Sequence, residues 1–309
     1  MKNEQVDSRI EEIVQARIDR RKFFRQAGIF GLGAAATGLV LGSASPARAE
    51  VESSAERMQE SAQSMDTVKE IFTAALIAED LATTFYYNVL VGKVIQDPNL
   101  AGPGGTATNV TANGNFGNVA YIRAALSEEI AHANLFRSLL GIPNAASDPV
   151  QTFYFPAGVF DNLAGFTGLL DALENAFIGA YLNAIQEFAT KAVYARRANG
   201  LEGNSNAQGD DSKYTAEQLE YFAKVAASIM GIEAEHRVLG RVISNTNPAN
   251  NLCYEQTDGL NAVYNGPKSA VAALTPFLTP STGAGYSLAF ALANQAAVSV
   301  PCMDNPPSM

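Results

Sequence analysis

Two short stretches of this sequence decide the fold prediction: residues 129–132 read Glu-Ile-Ala-His, and residues 233–236 read Glu-Ala-Glu-His. They contain the only two histidines of the 309 residues, and each histidine follows a glutamate at the third position before it. On an α-helix, residues three apart lie about 60° apart around the axis and one turn along it, so both side chains reach the same point. The repeated pattern therefore predicts two helices that face a common metal centre.

Four long helices are predicted around these motifs from the periodicity of the apolar residues. They cover about residues 65–95, 119–140, 162–197 and 215–244. The first helix begins with a predicted capping box of Thr67 and Glu70, and the fourth begins with the equivalent pair, Thr215 and Gln218. We find no alternating strand pattern with hairpin signals. The long connection at 142–160 completes the pattern of an all-α four-helix bundle with one long crossover.

The other two predicted helices each contribute one glutamate from an apolar stretch, Glu79 in the first and Glu174 in the third. The order along the chain is then Glu, Glu-x-x-His, Glu, Glu-x-x-His, which is the ligand pattern of two-metal carboxylate bundles. The six predicted metal ligands are Glu79, Glu129, His132, Glu174, Glu233 and His236. We expect Glu79 and Glu174 to bridge or cap the metals, while each Glu-x-x-His pair anchors one metal.

Charge balance supports this ligand set, because four carboxylates match two divalent cations and would otherwise repel one another in a bundle core. Mixed oxygen and imidazole ligands suit iron, manganese or zinc better than copper(I). We predict two divalent metal ions, with iron or manganese preferred. The alternative is that the glutamates are solvated helix charges and the histidines are ordinary surface or core residues.

Two tyrosines repeat the spacing of the lone glutamates, since Tyr86 and Tyr181 each follow a glutamate by seven residues, or two helical turns. They either support the metals through hydrogen bonding or redox chemistry, or are plain core tyrosines with satisfied hydroxyls. Glu128 precedes His132 by four residues and is predicted to be an outer partner of the site. Asp80 and Asp171 are further candidates to accept an imidazole N–H.

The N-terminus has the three parts of an export signal. Residues 20–25 read Arg-Arg-Lys-Phe-Phe-Arg, residues 27–42 are rich in Ala and Gly, and Ala47-Arg48-Ala49 forms a cleavage sequence. We predict a signal peptide over 1–49 with cleavage after Ala49, or alternatively an uncleaved N-terminal anchor. The pair Arg20 and Arg21 makes it resemble a twin-arginine signal. That resemblance implies the twin-arginine export machinery as a partner and a periplasmic or extracellular location.

The net charge limits the partners. The whole chain carries −10 at pH 7, and because residues 1–49 carry +3, the remainder carries −13. Nucleic acid and anionic membranes are therefore poor partners, because both require clustered Lys and Arg. A small molecule such as O2 or peroxide fits a two-metal site better, and a homo-oligomer is left open.

The rest of the chain divides around the bundle. We predict a linker over 50–64, the four-helix bundle over 65–245 and an irregular extension over 246–309 with short helices near 268–274 and 289–298. Cys253 and Cys302 lie in this extension, and in an oxidising compartment they form either a disulfide or two unpaired thiols.

At the six predicted ligands and their helices, residues 66–244 resemble the ferritin-like superfamily. More closely, the chain is similar to exported ferritin-like domain proteins, a group that includes plant and bacterial desiccation-related proteins. The resemblance implies a di-metal oxidoreductase of the ferroxidase, oxidase or catalase type, active in stress protection. The alternative is a non-enzymatic desiccation or envelope-associated protein whose metal is structural or absent. Long loops and the extension argue against a storage cage, and the acidic charge argues against a DNA-binding mini-ferritin.

Overall fold

Four long helices dominate the computed structural model, which describes residues 65–200, 211, 213–246, 249–250 and 274–300. They are α1 (Val68–Val91), α2 (Phe116–Leu140), α3 (Leu163–Gly200) and α4 (Ala216–Ile243). A short helix, α5 (Leu288–Asn294), lies near the end of the described chain, and a 3₁₀ turn, Gln295–Ala297, follows it. Further 3₁₀ turns are Lys93–Gln96, Ala145–Ser147, Thr275–Leu278 and Pro280–Thr282. The predicted helical bundle with a long crossover is confirmed.

Local capping explains where these helices begin and end. Both predicted capping boxes are present, at Thr67 before α1 and at Thr215 before α4. Helix α2 begins at Phe116, earlier than predicted, because the Asn115 side chain accepts the backbone N–H of Asn118 and caps the first turn. It ends where Gly141 adopts a φ of 69°, which glycine accommodates without steric cost.

The bundle consists of two helix pairs. Helix α1 packs along α2, and α3 packs along α4, while smaller contacts join α1 to α3 and α2 to α4. The helices therefore occupy the corners of a square in the order α1, α2, α4, α3. Helix α5 packs on the outer side of α1, which leaves α1 buried along most of its length.

A two-stranded antiparallel sheet joins the crossover to the C-terminal extension. Strand β1 (Thr152–Phe155) pairs with β2 (Ala284–Ser287), with Thr152 opposite Ser287 and Phe155 opposite Ala284. The sequence shows no strand pattern with hairpin signals, and this short pair is an addition to the predicted helical fold. Each strand has only four residues and its partner is distant in sequence, so neither hairpin spacing nor a sustained alternation marks it.

The apolar core falls into two clusters that meet near the middle of the bundle. One cluster contains the C-terminal half of α1 together with the crossover and the extension, and includes Leu81, Phe155 and Leu288. The other contains the N-terminal part of α1 and the facing ends of the remaining helices, and includes Phe72 and Phe188. On each helix, the predicted ligands lie close to the boundary between the residues of one cluster and those of the other.

Several predictions fall outside the described residues. These are the signal sequence with Arg20, Arg21 and Ala49, the linker, Cys253 and Cys302, and all but the last residue of the predicted helix at 268–274. Within the described ranges, no helix has both the length and the apolar character that a membrane span requires.

Candidate metal centre

The structure brings the six predicted ligands together in the bundle core. We call this set the Glu/His cluster; its members are Glu79 on α1, Glu129 and His132 on α2, Glu174 on α3, and Glu233 and His236 on α4. The four glutamates are each at most 2% exposed. Since the i, i+3 spacing points both residues of each motif inward, each of α2 and α4 supplies two side chains and each of α1 and α3 supplies one.

The ligand atoms form two overlapping groups. Both contain Glu129 and Glu233; the first adds Glu79 and His132, and the second adds Glu174 and His236. Within each group, one ligand atom from every residue lies within 4.8 Å of the others. We call the first group position 1 and the second group position 2. The two positions share two carboxylates.

The two shared carboxylates indicate which glutamates bridge the two positions. Glu129 and Glu233 belong to both positions and are therefore placed to bridge, whereas Glu79 and Glu174 each serve one position as caps. Of the two roles expected for Glu79 and Glu174, the geometry favours capping. Each position contains one complete Glu-x-x-His pair, Glu129 with His132 or Glu233 with His236, so the expectation that each pair anchors one metal is compatible with the geometry and stays a prediction.

Both imidazoles turn Nδ1 towards the carboxylates. His132 Nδ1 lies 3.2 Å from Glu79 Oε2 and 3.6 Å from Glu233 Oε1. His236 Nδ1 lies 3.0 Å from Glu129 Oε1 and 3.3 Å from Glu233 Oε2. Each ring therefore presents the same nitrogen to the centre of the bundle.

The two tyrosines donate hydrogen bonds to the capping glutamates, but in a crossed pattern. The Tyr86 hydroxyl on α1 donates to Glu174 Oε1 on α3 at 2.6 Å, and the Tyr181 hydroxyl on α3 donates to Glu79 on α1. Each tyrosine therefore serves the glutamate of the other helix, not the one two turns before it. Both hydroxyls are satisfied and both contact the Glu/His cluster, so the two interpretations left open by the sequence are not exclusive.

Glu128 is the outer partner of a histidine, although not of the one on its own helix. Its Oε2 lies 2.8 Å from Nε2 of His236 across the bundle, and its side chain is 45% exposed. Glu235, adjacent to His236 in sequence, is exposed. Hydrogen bonding to the far nitrogen fixes the orientation of an imidazole that binds metal through the other.

The aspartates expected to accept an imidazole N–H pair with arginines instead. Asp80 Oδ1 lies 2.5 Å from Nη2 of Arg137, and Asp171 Oδ1 accepts from Nε of Arg241 at 3.0 Å. Arg137 also donates through Nε to Asp148 of the crossover at 2.8 Å. Sequence reasoning missed this buried arginine, although Arg137 follows His132 by five residues just as Arg241 follows His236.

Burial and crowding shift the protonation of the cluster. Desolvation raises the pKa of Glu129, Glu174 and Glu233, and the neighbouring carboxylates raise each of them further. Burial opposes protonation of His132, but the charges of Glu79 and Glu129 and the hydrogen bond with Glu79 outweigh it and raise its pKa to about 11. Without a bound cation the cluster therefore retains protons that a metal would displace.

The donor atoms test whether a metal fits this arrangement. Six buried ligand atoms of the Glu/His cluster make no hydrogen bond of regular geometry with the described residues: Glu129 Oε1 and Oε2, Glu233 Oε1 and Oε2, Glu174 Oε2 and His236 Nδ1. Buried polar atoms are normally satisfied, so six at one place require another partner. All six belong to predicted ligands, and four carboxylates balance two divalent cations. The cluster is thus compatible with metal binding.

Comparison with known proteins agrees with this arrangement. The family model of the ferritin-like domain matches residues 67–205, which contain α1, α2, the crossover and α3. No curated protein and no solved structure matches the chain. Helix α4, with Glu233 and His236, lies beyond the matched segment, and the structure places it as the fourth member of the bundle. The match supports the ferritin-like superfamily, and the mostly helical structure is consistent with a ferritin-like bundle.

Proposed function

We propose that this protein binds two divalent metal ions, iron or manganese, in the Glu/His cluster and uses them in the redox chemistry of O2 or peroxide. The observation that carries the proposal is the convergence of six ligating side chains from four helices into two overlapping groups of four, and within each group the ligand atoms lie within 4.8 Å of one another. When bound, a pair of redox-active metals would supply the electrons and the Lewis acidity that such chemistry needs.

The protein's own residues would hold, orient and shield the metals. Glu129 and Glu233 would hold both, while Glu79 with His132 and Glu174 with His236 would each complete one position. The Tyr86 and Tyr181 hydroxyls would fix the capping carboxylates and carry a proton at the edge of the centre. Because the four carboxylates are at most 2% exposed, bulk water is kept away from them.

The same proposal includes export. The arginine pair and the Ala47-Arg48-Ala49 sequence support delivery by a twin-arginine pathway to the periplasm or the outside. Such a location suits protection of an envelope against peroxide or dry conditions. Fusion of residues 1–60 to a reporter that is active only after export would test this part separately, with Arg20→Lys and Arg21→Lys together as the control that abolishes it.

The alternative function is structural. The Glu/His cluster lies where the two apolar core clusters meet, so its four carboxylates are buried and repel one another. Metal ions that neutralise these carboxylates would stabilise the bundle whether or not turnover occurs. In this alternative the metal holds the helices together and does no chemistry.

Metal content and turnover together test the proposal. Protein purified from its native host should hold about two equivalents of iron or manganese per chain, and the loaded protein should consume O2 or peroxide. The Glu129→Ala and His236→Ala variants should lose this consumption. Absence of bound metal would overturn the proposal, whereas variants that lose only metal-dependent thermal stability, with no turnover in the parent protein, would support the structural alternative.

A further inference from the structure

The two metal positions are nearly symmetric in their ligands, yet their histidines differ on the side that faces away from the carboxylates. In position 2, Nε2 of His236 lies 2.8 Å from Glu128. In position 1, no group among the described residues hydrogen-bonds to Nε2 of His132. The difference lies outside the six ligands, so the ligand count alone does not reveal it.

The two histidine side chains also differ in burial. The side chain of His236 is 4% exposed, whereas that of His132 is 13% exposed. The ring of Tyr86 also packs edge-on against His236, with centroids 5.6 Å apart. The His236 ring is therefore held from two sides.

The hydroxyl hydrogen bonds of the tyrosines do not create the difference. Tyr86 donates to the capping glutamate of position 2 and Tyr181 donates to that of position 1, so each cap receives one hydroxyl hydrogen bond. The shared carboxylates of Glu129 and Glu233 also belong equally to both positions. Glu128 is the hydrogen-bond partner that has no counterpart in position 1 within the described part of the chain, and the ring contact of Tyr86 with His236 adds to the same difference.

In the hydrogen bond between His236 and Glu128, the imidazole is the donor and the carboxylate is the acceptor. An ionised carboxylate only accepts hydrogen bonds, so Nε2 of His236 must donate to Glu128, and in the neutral ring this leaves the Nδ1 lone pair facing the metal position. The contact also raises the basicity of the imidazole and removes its rotational freedom. Loss of such a partner commonly weakens metal affinity by about 10- to 100-fold.

We propose that Glu128 is a positioning residue that makes the two metal positions unequal: position 2 fills first and holds its ion tightly, and position 1, at the more exposed His132, fills second and exchanges its ion. This inference rests on the proposed metal-binding function. It assigns the exchangeable position to Glu79 and His132, so once position 2 is filled, further metal would be taken up and released there.

Titration of the metal-free full-length protein with Co²⁺ tests the proposal. We expect two binding events whose affinities differ by about 10- to 100-fold. Glu128→Ala should weaken the tighter event until the two nearly coincide, and Glu128→Gln, which keeps an acceptor oxygen but no charge, should fall between. The matched control is Glu235→Gln, an equal change of charge at an exposed residue beside His236, which should leave both affinities unchanged.

A second readout on the wild-type protein does not depend on any variant. Bound Co²⁺ shifts the N–H proton resonances of its imidazole ligands, and their exchange with D2O can be followed separately. One N–H, that of His236, should exchange slowly and the other quickly, and Glu128→Ala should make both fast. Two equal affinities or two equally exchanging N–H protons in the wild type would overturn the inference. Failure to bind Co²⁺ at all would instead overturn the proposed function.

Discussion

At the scale of single residues, each histidine of the Glu/His cluster is surrounded by carboxylates that favour its protonated form. Desolvation likewise favours protonated Glu129, Glu174 and Glu233 over their charged forms. Metal and protons therefore compete for the same atoms, and pH should control both metal affinity and the stability of the metal-free protein.

The stability of the metal-free protein should fall as pH rises. All of these pKa values are raised in the folded state, so the metal-free native protein binds more protons than the unfolded chain and loses stability as pH rises. The contribution of His132 is complete below its ordinary pKa of 6.5 and is lost as pH approaches about 11. The raised glutamate pKa values act in the same direction above 4.5.

We therefore predict that the difference in Tm between Mn²⁺-loaded and metal-free protein widens as pH rises from about 6 to 9. The measurement is thermal unfolding of both forms in a series of buffers at constant ionic strength. A difference that stays constant or narrows with rising pH would contradict the proton displacement described here.

The crossed tyrosine contacts give a second prediction at this scale. Tyr86→Phe removes the hydrogen bond to Glu174 while keeping the ring in the core, so Mn²⁺ affinity should fall about 10-fold with little loss of helicity. Titration calorimetry measures the affinity. The matched control is Tyr87→Phe, because Tyr87 is the next residue and its ring faces Phe290 at 6.1 Å; equal effects of the two changes would contradict the assigned role.

At the scale of helices and strands, the sequence predicts regular elements well and long-range contacts poorly. The capping boxes at Thr67 and Thr215 mark two helix starts because they are local hydrogen-bond patterns. Strands β1 and β2 escape prediction because a four-residue strand depends on a distant partner. The same limit applies to the site: i, i+3 spacing identifies the ligands, but helix rotation decides which carboxylates lie between the metals.

Arg137 links three elements and provides a prediction of its own. It is 5% exposed and joins Asp80 of α1 to Asp148 of the crossover, so its loss leaves two buried carboxylates without a cation. Arg137→Ala should lower the free energy of unfolding by about 3–5 kcal/mol. Denaturant unfolding measures this.

A surface ion pair provides the control for Arg137. Arg196 contacts Glu220 at 2.7 Å, but both side chains are largely exposed, at 59% and 43%. Arg196→Ala should therefore change the free energy of unfolding by less than about 1 kcal/mol. If the two substitutions cost the same, the buried network does not stabilise the crossover in the way described.

At the scale of the whole molecule, the described part of the C-terminal extension is built into the bundle. Strand β2 pairs with the crossover, Leu288 and Ala291 are fully buried in the larger core cluster, and Arg123 of α2 donates to the backbone carbonyls of Val298 and Ser299. The sequence suggests only short helices here, because apolar periodicity over seven residues does not reveal which surface they cover.

Two residues on α5 test this packing. Leu288→Ala should cost about 2–5 kcal/mol of unfolding free energy, since it removes a fully buried side chain. Phe290→Ala, two residues along the same helix and 62% exposed, should cost no more than about 0.5 kcal/mol. Thermal or denaturant unfolding of the pair measures both, and equal costs would mean that the extension does not contribute to the core.

In the proposed function, six side chains from four helices hold two metal ions inside the bundle. Anomalous diffraction at the manganese and iron edges, from crystals of protein loaded with each metal, tests it most directly. We expect two peaks within the core, one beside Glu79 and His132 and the other beside Glu174 and His236, with Glu129 and Glu233 between them. A bundle whose core shows no anomalous peak, while metal binds only at the surface, would contradict it.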